Sequence, residues 1–159
     1  MKYISKDLNS YKLHLINTDK FKTVTVKVLF RSPIVKDKIT IRNVLCDILL
    51  QSTLNYNSRR KISIKTEDLY SAHINNNVTR NGNYITSSFT LSILNDKYTE
   101  KDNMVESIKF LSEILFNPDV VDKKFNEKHY EGIVLYDKLR DENYEKFCRY
   151  PNLSSYFFL

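Results

Sequence analysis

Between Phe21 and Phe30 the chain alternates strictly: Val24, Val26, Val28 and Phe30 fall on one side of an extended chain, and Thr23, Thr25 and Lys27 on the other. Successive side chains of a strand point to opposite faces, so this period of two predicts a half-buried strand, which Arg31-Ser32-Pro33 is expected to end. Tyr11 to Ile16 alternates well enough to predict a strand before it. From Ile41 the period changes. Ile41, Val44, Leu45, Ile48 and Leu49 recur at the spacing of one face of an amphipathic helix. After a polar break at Asn55 to Ser58, the Ser58 hydroxyl can cap a second helix with Ile62, Thr66 and Leu69 facing inward and Leu69-Tyr70-Ser71-Ala72 closing it. Ile62-Ser63-Ile64 would serve equally as the start of a strand.

Ile74 to Val78, the turn Asn81-Gly82-Asn83 and Tyr84 to Leu94 read as an antiparallel hairpin. Thr86, Ser88, Thr90 and Ser92 give its second strand a wet face opposite Ile85, Phe89, Leu91 and Ile93. Met104, Ile108, Leu111 and Leu115, with Val105 and Ile114 beside them, predict a third helix stopped near Asn117-Pro118. A long fourth helix is expected from about Asp122 to Cys148, with Phe125, Ile133, Tyr136, Leu139 and Phe147 inward and Pro151 ending it. The predicted fold class is α+β, an antiparallel or mixed sheet covered by helices. It forms a single domain over residues 1–159, and the apolar tail through Tyr156, Phe157, Phe158 and Leu159 suggests a sheet and core incomplete at the C-terminus, the N-terminal piece of a larger protein.

Composition narrows the classes. A 42% hydrophobic and 13% aromatic content in 159 residues supports a packed core rather than a disordered chain. The net charge of +6 is spread among 19 acidic residues, and its densest cluster is only Arg59-Arg60-Lys61, so a solvated surface is favoured over nucleic-acid binding. Two cysteines, Cys46 and Cys148, form no Cys-x-x-Cys pattern and no disulfide framework. With no signal-peptide pattern after Met1 and no run approaching a membrane span, the cytoplasm is the expected compartment and no membrane partner is expected. The eleven tyrosines sit in no recognised motif and are read as packing residues.

The chemistry of interest lies on the first helix. Asn43, Cys46 and Asp47 fall on one face at i, i+3 and i+4. A thiolate and a carboxylate so placed could ligate a metal, but a zinc peptidase needs two neutral imidazoles, a further ligand and a Glu general base. His14, His73 and His129 are far apart in the sequence, so none completes such a set; His14 and His73 are read as structural and His129 as solvent-facing. Cys46, beside an apolar stripe, is read as a small buried hydrophobe.

The segment Ile41 to Thr53 resembles the active-site helix of the pitrilysin/insulinase-type metallopeptidases, whose inverted motif is His-x-x-Glu-His. Here the corresponding positions read Asn43-Val44-Leu45-Cys46-Asp47. The resemblance runs from about Thr18 to Tyr150 and includes Leu69-Tyr70-Ser71-Ala72 and the pair Glu127-Lys128, which are similar to the catalytically degenerate bacterial branch of that superfamily. It implies that the third zinc ligand falls at Val134, with Glu131 and Asp137 nearby. On this resemblance the catalytic positions Asn43, Cys46, Asp47 and Val134 are degenerate, and no metal and no cofactor is expected. It further implies a non-catalytic subunit, partnered with an active metallopeptidase relative, that helps to hold an extended peptide at a sheet edge. The alternatives are an active zinc peptidase with other ligands and a basic nucleic-acid- or anion-binding domain. If the chain lacks a neighbour, it should self-associate through the uncovered surface.

Overall fold

The computed structural model describes residues 1–35, 38–100, 102–121 and 124–125. The chain order is β1 (Lys2–Leu8), β2 (Tyr11–Asn17), β3 (Thr23–Pro33), α1 (Ile39–Leu49), α2 (Arg59–Asp68), β4 (His73–Asn81), β5 (Tyr84–Leu94), α3 (Asn103–Phe116), β6 (Val120–Val121) and β7 (Lys124–Phe125). The fold is α+β with antiparallel sheets and three α-helices among the described residues. Its centre is a three-stranded sheet in the order β3-β5-β4. Val24, Val26 and Val28 of β3 face Ile93, Leu91 and Phe89 of β5, and Ile74 of β4 faces Leu91. One sheet face is therefore apolar and packs against the helices. Phe89 and Leu91 are completely buried there, together with Leu49 of α1 and Ile114 of α3. The opposite face carries Thr23, Thr25 and Lys27 opposite Leu94, Ser92 and Thr90.

The strand of Val24 to Phe30 continues past its expected end. Arg31, Ser32 and Pro33 pair with Thr86, Ile85 and Tyr84, because β5 is long enough to supply partners and a proline is tolerated at the end of an edge strand. The hairpin turns at Gly82-Asn83, where Gly82 adopts φ +60, a conformation free of strain only for a residue without Cβ. A strand missing from the sequence reading is β1. It pairs with β2 in a two-stranded ribbon around Asn9, which takes φ +52, and each residue of β1 is exposed. Its lysines mask the alternation that would have revealed it.

The third helix is rotated relative to its predicted stripe. Met104, Val105 and Ile108 are 39%, 51% and 39% exposed, whereas Asn103, Ser107, Phe110, Leu111, Ile114 and Leu115 are buried. Two small polar residues can occupy this buried face because they are satisfied: Asn103 Nδ2 donates to the Leu94 carbonyl at 3.0 Å, and Ser107 Oγ donates to Asn103 Oδ1 at 3.5 Å. The second helix starts as expected, with Ser58 Oγ accepting from the Lys61 amide, and buries Ile62. It closes through two successive left-handed residues, Tyr70 at φ +59 and Ser71 at φ +56. The predicted fourth helix lies almost wholly outside the described residues. At its start, Lys124–Phe125 is a strand paired with Val120–Val121 rather than a first helical turn.

Candidate site on the first helix

α1 has no side-chain N-cap and begins directly after Lys38. What holds it is its inner face, where Ile41, Val44, Leu45, Ile48 and Leu49 are buried. At roughly 25 cal/mol per Å² of apolar area, each such side chain stabilises by about 1.5–3 kcal/mol when buried. That packing fixes the rotation of the helix and so decides where Asn43, Cys46 and Asp47 stand.

The three do not converge. Cys46 is 1% exposed and belongs to the core cluster, while Asn43 and Asp47 are on the solvent side of the helix. Burial pushes the Cys46 thiol up to about 11; a hydrogen bond with Ser87 opposes this, Asp47 adds to it, and Arg42 pulls weakly downward. A protonated thiol turned into an apolar layer is neither a nucleophile nor a zinc ligand at neutral pH. Asp47 is also committed: its Oδ1 accepts from Asn76 Nδ2 on β4 at 2.8 Å. One turn on, Gln51 Nε2 donates to the Asp47 carbonyl at 3.4 Å. An amide, an inward thiol and a carboxylate already bonded to an asparagine do not fit a tetrahedral zinc site. Among the described residues no group of three or more His, Cys, Asp and Glu could hold a metal ion.

Asn76 and Ser87 are the site residues that sequence reasoning missed. Asn76 did leave a signal. On the helix-facing side of β4 the order is Ile74, Asn76, Val78, so an amide interrupts an apolar row where alternation calls for a third hydrophobe. The hydrogen bond to Asp47 explains it. Ser87 leaves a weaker one, since Ser87-Ser88 puts two hydroxyls in sequence and one must face inward. The two remaining described histidines are elsewhere: His14 on β2 shares a 2.8 Å hydrogen bond with Tyr3 Oη, and His73 opens β4 on the wet face. Val134, His129, Glu131 and Asp137 lie outside the described residues.

The site borders an open strand edge. β4 is a terminal strand of its sheet, paired on one side with β5 and with no strand on its other side among the described residues. The Asp47–Asn76 bond ties α1 to that edge. A separate open cavity of about 510 Å³, lined by Lys65, Asp68, Leu69, Tyr70, Asn103 and Glu106, sits where α2 ends and α3 begins.

A protein of Bacillus subtilis (strain 168) described as probable inactive metalloprotease YmfF is 26% identical to the chain over 144 residues, covering 88% of this chain and 34% of that protein. The chain is metalloprotease-like in sequence. The crystal structure of a conserved protein from Enterococcus faecalis V583 matches it with a TM-score of 0.79 and 28% identity over 89% of this chain and 35% of that one. The chain thus spans about a third of the length of both. No protein-family model matches. Among the described residues no helix is long and apolar enough to cross a membrane.

Proposed function

We propose that the chain is a non-catalytic relative of the pitrilysin/insulinase-type metallopeptidases that holds an extended peptide along the open edge of β4 and works beside an active relative. The observation that carries this reading is the placement of Cys46. On the proposed alignment it stands where an active enzyme has its general-base Glu, and it is turned into the core with a protonated thiol. The inactive metalloprotease description of the Bacillus subtilis relative agrees with it. An edge strand needs no catalytic group to bind a peptide, because its unpaired main-chain N–H and C=O groups supply the hydrogen bonds.

Hydrogen exchange tests the reading. A blocked, extended peptide of alternating Thr and Gln, added to the chain with zinc present, should slow exchange of amides within His73–Asn81 and be recovered intact. Cleavage of the peptide would refute the non-catalytic part, and protection confined to other strands would refute the edge. For the partner, the tagged chain purified from its own cells should carry a protein with an intact His-x-x-Glu-His motif.

A further inference from the structure

Resting on the edge-binding reading, we propose that β4 selects peptides with basic side chains and that Asp47 is the residue that reads them. The carboxylate of Asp47 is fixed beside the edge by the 2.8 Å bond from Asn76 Nδ2 to its Oδ1. Among the described residues no ion pair includes it. Its neighbours Asn43, on the same side of α1, and Gln51, just past the end of the helix, are uncharged. Among the described residues, a fixed carboxylate outside any ion pair therefore stands beside the open edge of β4.

The reach is adequate. A strand added to β4 lies about 4.8 Å from it, and its side chains point alternately toward α1 and away. The peptide residue opposite Asn76 has its Cβ about 5 Å from that of Asn76, and the residues two positions to either side are about 7–8 Å away diagonally. The flexible stem of Lys or Arg spans such a gap and can place its cation on the free oxygen of Asp47. Peptide side chains pointing the other way meet Asn75, Asn77 and Thr79, which are uncharged, and His73 at the start of the strand; Arg80, on the helix-facing side, lies at the far end by the hairpin turn, where its Nε donates to the Gly82 carbonyl at 3.2 Å. The chain as a whole carries +6, so its overall field repels a basic peptide. A preference for one would have to come from a local carboxylate.

Three blocked, fluorescein-labelled peptides separate the possibilities: alternating Thr-Lys, Thr-Gln and Thr-Glu, titrated by anisotropy at moderate salt. Thr-Lys is expected to bind about threefold or more tighter than Thr-Gln, and Thr-Glu weakest, in line with the strength of a solvent-exposed ion pair. In Asp47→Asn, which keeps an oxygen for Asn76, the ratio of Thr-Lys to Thr-Gln affinity should fall to about one. If Thr-Gln binds and Thr-Lys binds no better, or if the advantage survives Asp47→Asn, the role of Asp47 is refuted and edge binding stands. If none of the three binds, both fall.

Discussion

On the proposed alignment, replacing Cys46 with glutamate would install the general-base residue of an active peptidase helix, and the packing around Cys46 predicts that it would damage the fold. Cys46 is 1% exposed, with Ser87 as its hydrogen-bonding neighbour and apolar side chains of the core around it. A longer side chain forced into a packed core costs about 1–3 kcal/mol through displaced neighbours. The charge costs more. Full burial raises a carboxyl by about 3–4 pH units, so the folded chain takes it up protonated at pH 7, and the gap of about 2.7 units between the free glutamate value and pH 7, at 1.36 kcal/mol per unit, costs roughly 3–4 kcal/mol. The total, about 4–7 kcal/mol, is comparable with the whole stability of a small domain. The sign of the pH dependence follows, because a carboxyl whose folded value is raised destabilises only when the solvent would ionise it. The penalty should be absent below about pH 4 and grow as the pH rises toward the raised folded value. Urea unfolding followed by far-ultraviolet circular dichroism suits the chain, which has no tryptophan. Cys46→Met controls for size, and Cys46→Ala for the lost thiol, expected at about 1–2 kcal/mol. A Glu variant within 1 kcal/mol of the Met variant at pH 7 would refute the reasoning, since the carboxylate would then have found water and the position would face a cleft.

Three further outcomes follow from single contacts. Ser71 sits at φ +56, so Ser71→Gly should leave the melting temperature unchanged or raise it slightly, with relief of strain offsetting the lost 2.8 Å bond from Ser71 Oγ to Glu67, whereas Ser71→Val should destabilise by about 2 kcal/mol; a tolerated valine would contradict the assigned backbone. Asn103→Ala removes a buried donor from the half-buried Leu94 carbonyl at the end of β5 and should lower stability by about 1–2 kcal/mol in denaturant unfolding, and no loss would mean that the α3 rotation is wrong. Burial alone would raise the Glu113 carboxyl, but hydrogen bonds from Asn117, Asn55 and Thr53 outweigh it and hold the group below the usual glutamate range. Its contribution is therefore present above the unfolded value and lost as the pH falls through the folded one, so the stability gap between the native chain and Glu113→Gln should be constant above about pH 5 and close below it; a gap that widens in acid would reverse the assignment.

Much of the fold could be read from periodicity, and the exceptions share a physical cause. α1 was legible because its buried face, Arg42 apart, is apolar, and the β4–β5 hairpin because Gly82 marks its turn. On α3 the expected stripe holds for Leu111, Ile114 and Leu115 but fails over the first two turns, because a stripe drawn from apolar residues alone counts Met104 and Ile108 and passes over Asn103 and Ser107, which are buried with their side chains hydrogen-bonded. The same limit applies at the site. Helical spacing puts Asn43, Cys46 and Asp47 within one wide arc, but only the packing against the sheet decides that Cys46 falls inside and the other two outside. The Asp47–Asn76 bond joins residues 29 apart in the chain and could be inferred only from the amide interrupting the apolar row of β4.

Zinc content per chain, measured by mass spectrometry after dialysis against dilute zinc and then against metal-free buffer, tests the non-catalytic reading most directly. The account predicts less than about a tenth of an equivalent, because a structural or catalytic site holds its ion far more tightly than such washing can remove. One retained equivalent would contradict it, and loss of that ion in Asp47→Ala or Cys46→Ala would place the site on α1 itself.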